Sequence, residues 1–173
     1  MKFSLNNSML LLEKTPTTLT SLLNGLSEDW LKSNEGKNTW SPYDIVGHLI
    51  HGEKTNWMIR IQIILNESAN KHFTPYDRFA QMHNDQNKQI AVLLEEFSIL
   101  RSNNIQKLKS FRITDFDLTR KGIHPEFGEI TLEQLIAAWV VHDLGHIAQI
   151  SRVMAKQYKD EVGPWTAYLG ILK

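Results

Sequence analysis

The chain has 173 residues, of which 42% are hydrophobic and 22% charged, a composition typical of a globular protein with its own core. Nineteen Lys and Arg residues balance nineteen Asp and Glu residues, so no basic excess favours nucleic acid as a partner. There is no cysteine, which excludes disulfides, thiolate ligands and a cysteine nucleophile. No apolar run approaches a membrane span and no signal peptide is evident, so we expect no membrane partner and a cytoplasmic protein with one domain over residues 1–173.

The first helical region is predicted over residues 4–26, in two pieces. Thr15 and Pro16 mark the join, because proline is disfavoured inside a helix but suits the first helical position after a threonine cap. A polar connection is predicted over residues 27–39.

The second helix has the clearest start signal in the chain. Ser41 is a good N-cap, Pro42 suits the first helical position, and Asp44 can close a capping box with Ser41. Apolar residues at helical spacing extend this helix to about Leu65, and His48 falls among them about two turns inside.

Two further long helices complete the pattern. One is predicted from about Lys88 to Lys109, and the last begins at the N-cap Thr131, which can form a capping box with Gln134, and ends near Gln157. Long connections over residues 66–87, with a short turn of helix at its end, and 110–130 separate them. Four long helices without an alternating strand pattern predict an all-α protein, a four-helix bundle with long crossover connections.

Histidines on two of these helices suggest a metal site. His142 and His146 lie one helical turn apart on one face, so both imidazoles can reach a single ion. Bundles build metal sites from side chains of facing helices, and His48 is the natural third ligand. His51, three residues after His48, is the rival ligand. The alternative for each of these histidines is a structural role, in which the ring lies on an apolar helix face and forms a hydrogen bond.

Several motifs then resemble those of one family. Trp40–Pro42 leading to His48, and the later stretch His142–Ile150, are similar to the DinB-like (YfiT-related) superfamily of metal-binding four-helix bundles. The Thr15–Pro16 pair, residues 100–104 and residues 124–128 agree with it. The resemblance extends from about residue 10 to residue 153.

The resemblance implies that His48, His142 and His146 bind a divalent ion: zinc, nickel, iron or manganese. Two reactions follow for an enzyme acting on a small-molecule substrate. The first is transfer of a low-molecular-weight thiol, such as bacillithiol, to small electrophiles. The second is hydrolysis through metal-bound hydroxide. A non-catalytic bundle that binds a ligand or a partner is the alternative of another class. Homodimer formation is a further expectation, because related bundles commonly pair through helix faces.

Neighbouring side chains have their own interpretations. Glu53 is predicted to be a solvated charge, and Asp143 to lie at the surface or behind a ligand instead of binding the ion. Gln149 either borders the pocket or is a buried amide. Trp57 and Trp139 are predicted to be core residues. His124, which lies on the last long connection, is predicted to be a turn residue, with a pocket wall as its functional alternative.

Overall fold

A computed structural model of the chain describes residues 1–67, 70–83 and 88–173; residues 68–69 and 84–87 of the predicted connection lie outside the described residues. Its helices and strands follow in chain order: α1 (Leu5–Leu23), α2 (Glu28–Lys32), α3 (Pro42–Thr55), α4 (Trp57–Leu65), α5 (Ile90–Ser110), α6 (Asp115–Thr119), β1 (Lys121–His124), β2 (Gly128–Thr131) and α7 (Leu132–Lys156). Short 3₁₀ turns cover Ala80–His83, Gly163–Ala167 and Gly170–Leu172.

The long helices pack as a four-helix bundle, as the sequence predicts. Helix α1 packs against α5 and α7, and α3 packs against the same two helices. Both predicted capping boxes are present, Ser41 with Asp44 at the start of α3 and Thr131 with Gln134 at the start of α7. The contact between α3 and α7 places His48 opposite the two later histidines.

The first helix is continuous, and the predicted division at Thr15 and Pro16 is wrong. Pro16 lies inside α1, where its missing N–H leaves the Leu12 carbonyl without the usual helical partner. Arg101 Nη1 on α5 donates to that carbonyl at 2.8 Å. Helix α5 therefore supplies the hydrogen bond that the proline removes, and α1 continues past Pro16 without a break.

The second helix, predicted to run unbroken to Leu65, is interrupted at Asn56, which separates α3 from α4. The Thr55 hydroxyl donates to the His51 carbonyl at 2.8 Å, an arrangement that bends helices. The apolar spacing continues across the bend, because Trp57 and Ile61 are buried like the apolar residues of α3. Periodicity alone therefore gave no sign of the interruption.

A two-stranded hairpin, which the sequence did not predict, occupies the last long connection of the all-α bundle. Strand β1 pairs antiparallel with β2, with Lys121 opposite Thr131. At Gly122 a Cβ atom would lie 2.4 Å from Phe73 Cζ, so only glycine lets the hairpin approach so closely. Each strand has four residues, too few to show an alternating pattern in the sequence.

The interior consists of two apolar clusters with a charged layer between them. Trp139 belongs to one cluster and Phe97 to the other. The buried Arg101 guanidinium carbon lies 5.1 Å from the Trp139 ring and 4.9 Å from the Phe97 ring. In the part of the chain described above, no helix combines the length and apolar character that crossing a membrane requires.

Candidate metal centre

Three histidines from two facing helices converge on one point. His48 Nε2 lies 3.1 Å from His142 Nε2, and His146 Nε2 lies 3.1 Å from the same atom. One nitrogen of each ring lies within 4.8 Å of one nitrogen of both others. The structure thus brings together all three residues that the sequence predicts as metal ligands.

The geometry and charge state of these histidines, which we call the triad, fit a divalent ion. Two nitrogens bound to a tetrahedral zinc ion at its usual bond length are about 3.3 Å apart, close to the separations in the triad. Burial, and then the charges of His146 and His142, lower the pKa of His48 to about 3. Burial, and then His142, lower the pKa of His146 to about 4. Both rings are therefore neutral near pH 7, as metal ligands must be.

Gln149 fixes the orientation of one member of the triad. Its Oε1 lies 2.9 Å from His146 Nδ1, so it can accept a hydrogen bond from Nδ1–H and leave Nε2 free to bind an ion. Gln149 is half-buried, one turn after His146 on α7. Gln149 therefore contacts the predicted ligand His146 directly. The sequence spacing alone could not distinguish this role from that of a buried amide.

Aromatic rings line the triad. Trp40 packs on His48 with ring centroids 4.7 Å apart, and it lies nearly parallel to His146 at 6.1 Å. Tyr76 meets the His48 ring edge-on at 5.9 Å, and Trp57 meets His142 edge-on at 5.1 Å. These aromatic contacts give the triad a largely apolar surrounding.

Behind the triad lies a buried charge network. Arg101 donates to Glu53 at 2.8 Å and to Asp143 at 2.6 Å, and all three side chains are at most 3% exposed. The prediction that Glu53 is a solvated charge is wrong: its carboxylate accepts from Arg101, Asn104 and Trp139. The surface alternative for Asp143 is wrong as well.

The network connects directly to the ligand helices. Asp143 follows His142 in the chain, and its Oδ1 lies 3.8 Å from His142 Nδ1. Burial by itself would raise the pKa of Asp143, but the neighbouring His142 ring and the hydrogen bonds from Arg101 and Thr15 lower it. Arg101 has a raised pKa because Glu53 and Asp143 outweigh its burial. Asp143 and Arg101 are therefore both charged in the folded protein.

Arg101 was not predicted to be buried or functional, although its position in the sequence indicates it. Arg101 stands four residues after Phe97 and four before Ile105, both buried, so it occupies the inward face of α5. A charged residue on such a face requires a buried partner.

The remaining candidates lie outside the triad. The His51 Nε2 atom contacts the Thr55 hydroxyl at 3.2 Å, and its ring packs on Tyr76. His124 Nδ1 accepts from the Glu126 N–H at 3.2 Å, the turn role that was predicted for it. Trp57 and Trp139 are buried core residues, as predicted.

The fold and the triad together define a class of protein: four-helix bundles with a three-histidine site between two facing helices. This chain belongs to the DinB superfamily, whose sequence profile matches residues 11–150. The predicted family resemblance is thereby confirmed over most of the chain.

Two relatives agree with this assignment. A protein of Oceanobacillus iheyensis named "Putative metal-dependent hydrolase" is 25% identical over 148 residues, which are 84% of this chain and 83% of that protein. The solved structure of YfiT from Bacillus subtilis, described as "a probable metal-dependent hydrolase with an unusual four-helix bundle topology", has a TM-score of 0.72 and 23% identity. The match covers 91% of this chain and 87% of that one, and shows that the two share a fold.

Proposed function

We propose that the protein is a metal-dependent enzyme whose His48, His142 and His146 bind one divalent ion through their Nε2 atoms. The convergence of these three nitrogens, two pairs of them 3.1 Å apart, is the observation that carries the proposal. A bound ion would lower the pKa of a thiol or water ligand and so supply a nucleophile near neutral pH. Three protein ligands leave room for that molecule, as in catalytic zinc sites.

Transfer of a low-molecular-weight thiol to a small electrophile is the reaction that these residues support best. Glu53 and Asp143, the acidic residues buried beside the triad, are both committed to Arg101 and are poorly placed to serve as a general base. A thiol needs less help than water to lose its proton, since its ordinary pKa is near 8.5. The chain has no cysteine, so the thiol must come from a cosubstrate such as bacillithiol. The sulfur loses its proton to solvent and bonds to the electrophilic carbon as the leaving group departs.

Hydrolysis is the second candidate, and the names of the two relatives favour it. The same three histidines would serve, with water in place of the thiol and an ester or amide as substrate. The two reactions therefore differ in the nucleophile and not in the residues that hold the ion.

Metal analysis of untagged protein tests the proposal. We expect about one divalent ion per chain, and loss of that ion in a His142→Ala, His146→Ala double variant. His51→Ala is the matched control and should retain the ion, because His51 lies outside the triad. Metal well below one ion per chain, or full retention by the double variant, would show that the triad is a packing feature of a non-catalytic bundle.

Turnover assays distinguish the reactions. Metal-loaded protein is given an aryl halide with and without added thiols, and separately a nitrophenyl ester without thiol. Thiol-dependent consumption of the halide supports transfer. Ester hydrolysis with no thiol-dependent turnover would assign the hydrolase instead.

A further inference from the structure

Arg60 on α4 is a buried cation without an acidic partner among the described residues. Arg60 is only 9% exposed to solvent. Nη2 has a long contact of 3.5 Å with the Thr74 carbonyl, and the guanidinium carbon lies 5.1 Å from the Phe73 ring. A guanidinium remains protonated in proteins, and a buried charge without a counter-ion is destabilising. An anionic ligand would supply the counter-ion that the buried Arg60 lacks among the described residues.

A second hydrogen-bond donor, the Tyr76 hydroxyl, lies near this cation. Tyr76 interacts electrostatically with Arg60, and its hydroxyl is buried without a hydrogen-bond partner in the described part of the chain. A Cβ atom placed at Gly52 would lie 3.8 Å from Tyr76 Oη and 3.2 Å from Trp57 Nε1. The absence of a side chain at Gly52 therefore lets the Tyr76 hydroxyl and the Trp57 indole N–H approach the same point on α3.

The surroundings of Gly52 adjoin the triad. Gly52 follows His48 by four residues on α3, so it lies on the same face one helical turn further along. The Tyr76 ring lies 5.9 Å from the His48 ring, and the Trp57 ring lies 5.1 Å from the His142 ring. Tyr76 and Trp57 therefore each contact a ring of the triad.

We propose that Arg60, Tyr76 and Trp57 form an anion subsite that binds a carboxylate or a similar oxyanion of the substrate whose reacting atom is held at the triad. The guanidinium and the indole are donors only, and the phenol can donate, so together they select an acceptor-rich group. The positive charge selects an anion over a neutral carbonyl. This assignment rests on the proposed function for the identity of the reacting centre, but the subsite itself depends only on Arg60 and its neighbours.

The proposal defines a class of substrate. For thiol transfer, the cosubstrate or the electrophile carries a carboxylate near its reacting atom, and for hydrolysis the ester or amide does. Neutral analogues of the same length should bind more weakly, because they leave the buried guanidinium unpaired.

Binding of succinate, a simple dicarboxylate, is the direct test. The Trp57 indole N–H signal in a ¹H–¹⁵N spectrum, assigned with Trp57→Phe, reports on the subsite itself. We expect succinate to shift this signal, and Arg60→Met to weaken binding at least tenfold. Arg120→Met is the matched control, since Arg120 is already paired with Glu67 and Asp117, and it should bind succinate normally.

Two smaller changes keep the test valid if Arg60→Met folds poorly. Tyr76→Phe removes only the hydroxyl and should weaken succinate binding severalfold. Gly52→Ala places a methyl group 3.2 Å from Trp57 Nε1 and should reduce binding. Gly145→Ala, the same change in a helix where a Cβ meets nothing within 4 Å, should not. Without succinate, Arg60→Met should melt at or above the temperature of the natural chain, because a buried unpaired charge is removed.

The outcomes separate the subsite from the metal centre. If Arg60→Met still binds succinate, the proposed subsite is wrong. It is also wrong if only His146→Ala abolishes binding, because succinate would then be a metal ligand. If the triad holds no metal while succinate still binds through Arg60, the subsite stands and the proposed function falls. Metal-loaded protein should bind 3-mercaptopropionate about tenfold more tightly than 3-mercaptopropan-1-ol. Arg60→Met should abolish this preference. Equal binding of the two thiols by the natural chain would show that the subsite and the triad do not hold the same molecule.

Discussion

Pro16 and Arg101 complement each other across the bundle: the proline removes the N–H that would bind the Leu12 carbonyl, and the arginine donates to that carbonyl at 2.8 Å. The same guanidinium binds Glu53 on α3 and Asp143 on α7. One side chain of α5 therefore joins the other three long helices in a single layer. Because α3 and α7 carry the triad, this layer also fixes how the two ligand helices face each other.

Replacing Arg101 should therefore be severely destabilising. In Arg101→Met the two carboxylates stay buried without a cation, and the Leu12 carbonyl loses its partner. Breaking a buried ion pair in this way costs about 3–5 kcal/mol of unfolding free energy. Urea unfolding at pH 7 measures the loss.

The matched control is Lys54→Met, which breaks the exposed pair with Glu96. An exposed pair contributes about 0–1 kcal/mol, so this variant should unfold almost as the natural chain does. Equal losses in the two variants would contradict the structural role assigned to Arg101.

Much of the fold and the triad was predictable because the signals are local. Ser41 and Thr131 each form a capping box with a residue three positions later, which marks the start of a helix. The spacing of His142 and His146 alone places them on one helix face. The third ligand, His48, needed the assumption that the second and last helices face each other. Those features depend on residues close in sequence or on a known packing rule.

The features that were missed depend on contacts between distant parts of the chain. Pro16 breaks a helix unless another element supplies the lost hydrogen bond, and that donor, Arg101, lies 85 residues away in the sequence. Glu53 was taken for a surface charge because its buried partner lies on α5. Gly122 permits the hairpin to pack on Phe73, and nothing near Gly122 in sequence indicates that contact.

A smaller loss of stability is expected at Thr15. Its hydroxyl donates to Asp143 Oδ2 at 2.7 Å in a buried setting. Thr15→Val keeps the shape but removes the donor, and a hydrogen bond to a charged group contributes about 1.5–3 kcal/mol. Thr18→Val, where the exposed hydroxyl donates to the Lys14 carbonyl, is the control and should cost little in the same urea titration. Losses of similar size at both positions would argue against an energetic role for the buried bond.

Gln149 should tune metal affinity without belonging to the triad. Gln149→Leu removes the acceptor at 2.9 Å from His146 Nδ1, so the ring loses the contact that orients Nε2. Loss of such a partner typically weakens metal binding by about 10–100-fold. A competition titration against a chromophoric chelator measures the change. Gln157→Leu, at the C-cap that follows the same helix, should leave the affinity unchanged. Equal affinity in the two variants would show that Gln149 has no orienting role.

Glu35 should make stability depend on pH in a defined window. It accepts from Arg152 at 2.8 and 2.9 Å and lies 2.8 Å from Lys156. Hydrogen bonds from Arg152 and then Lys156 lower its pKa from 4.5 to about 2. A carboxylate with a lowered pKa stabilises the fold above its unfolded pKa, and this contribution is lost as the pH falls through its folded pKa.

Glu35→Gln should therefore cost about 1–2 kcal/mol above pH 5, a figure reduced by solvent screening of the partly exposed cations. The difference in unfolding free energy between the natural chain and this variant should shrink as the pH falls from about 4.5 towards 2. Urea titrations at several pH values measure it. Glu28→Gln, in an exposed pair with Lys32, should show no comparable loss at any pH. A difference that stays constant down to pH 2 would mean that the Glu35 charge does not stabilise the fold.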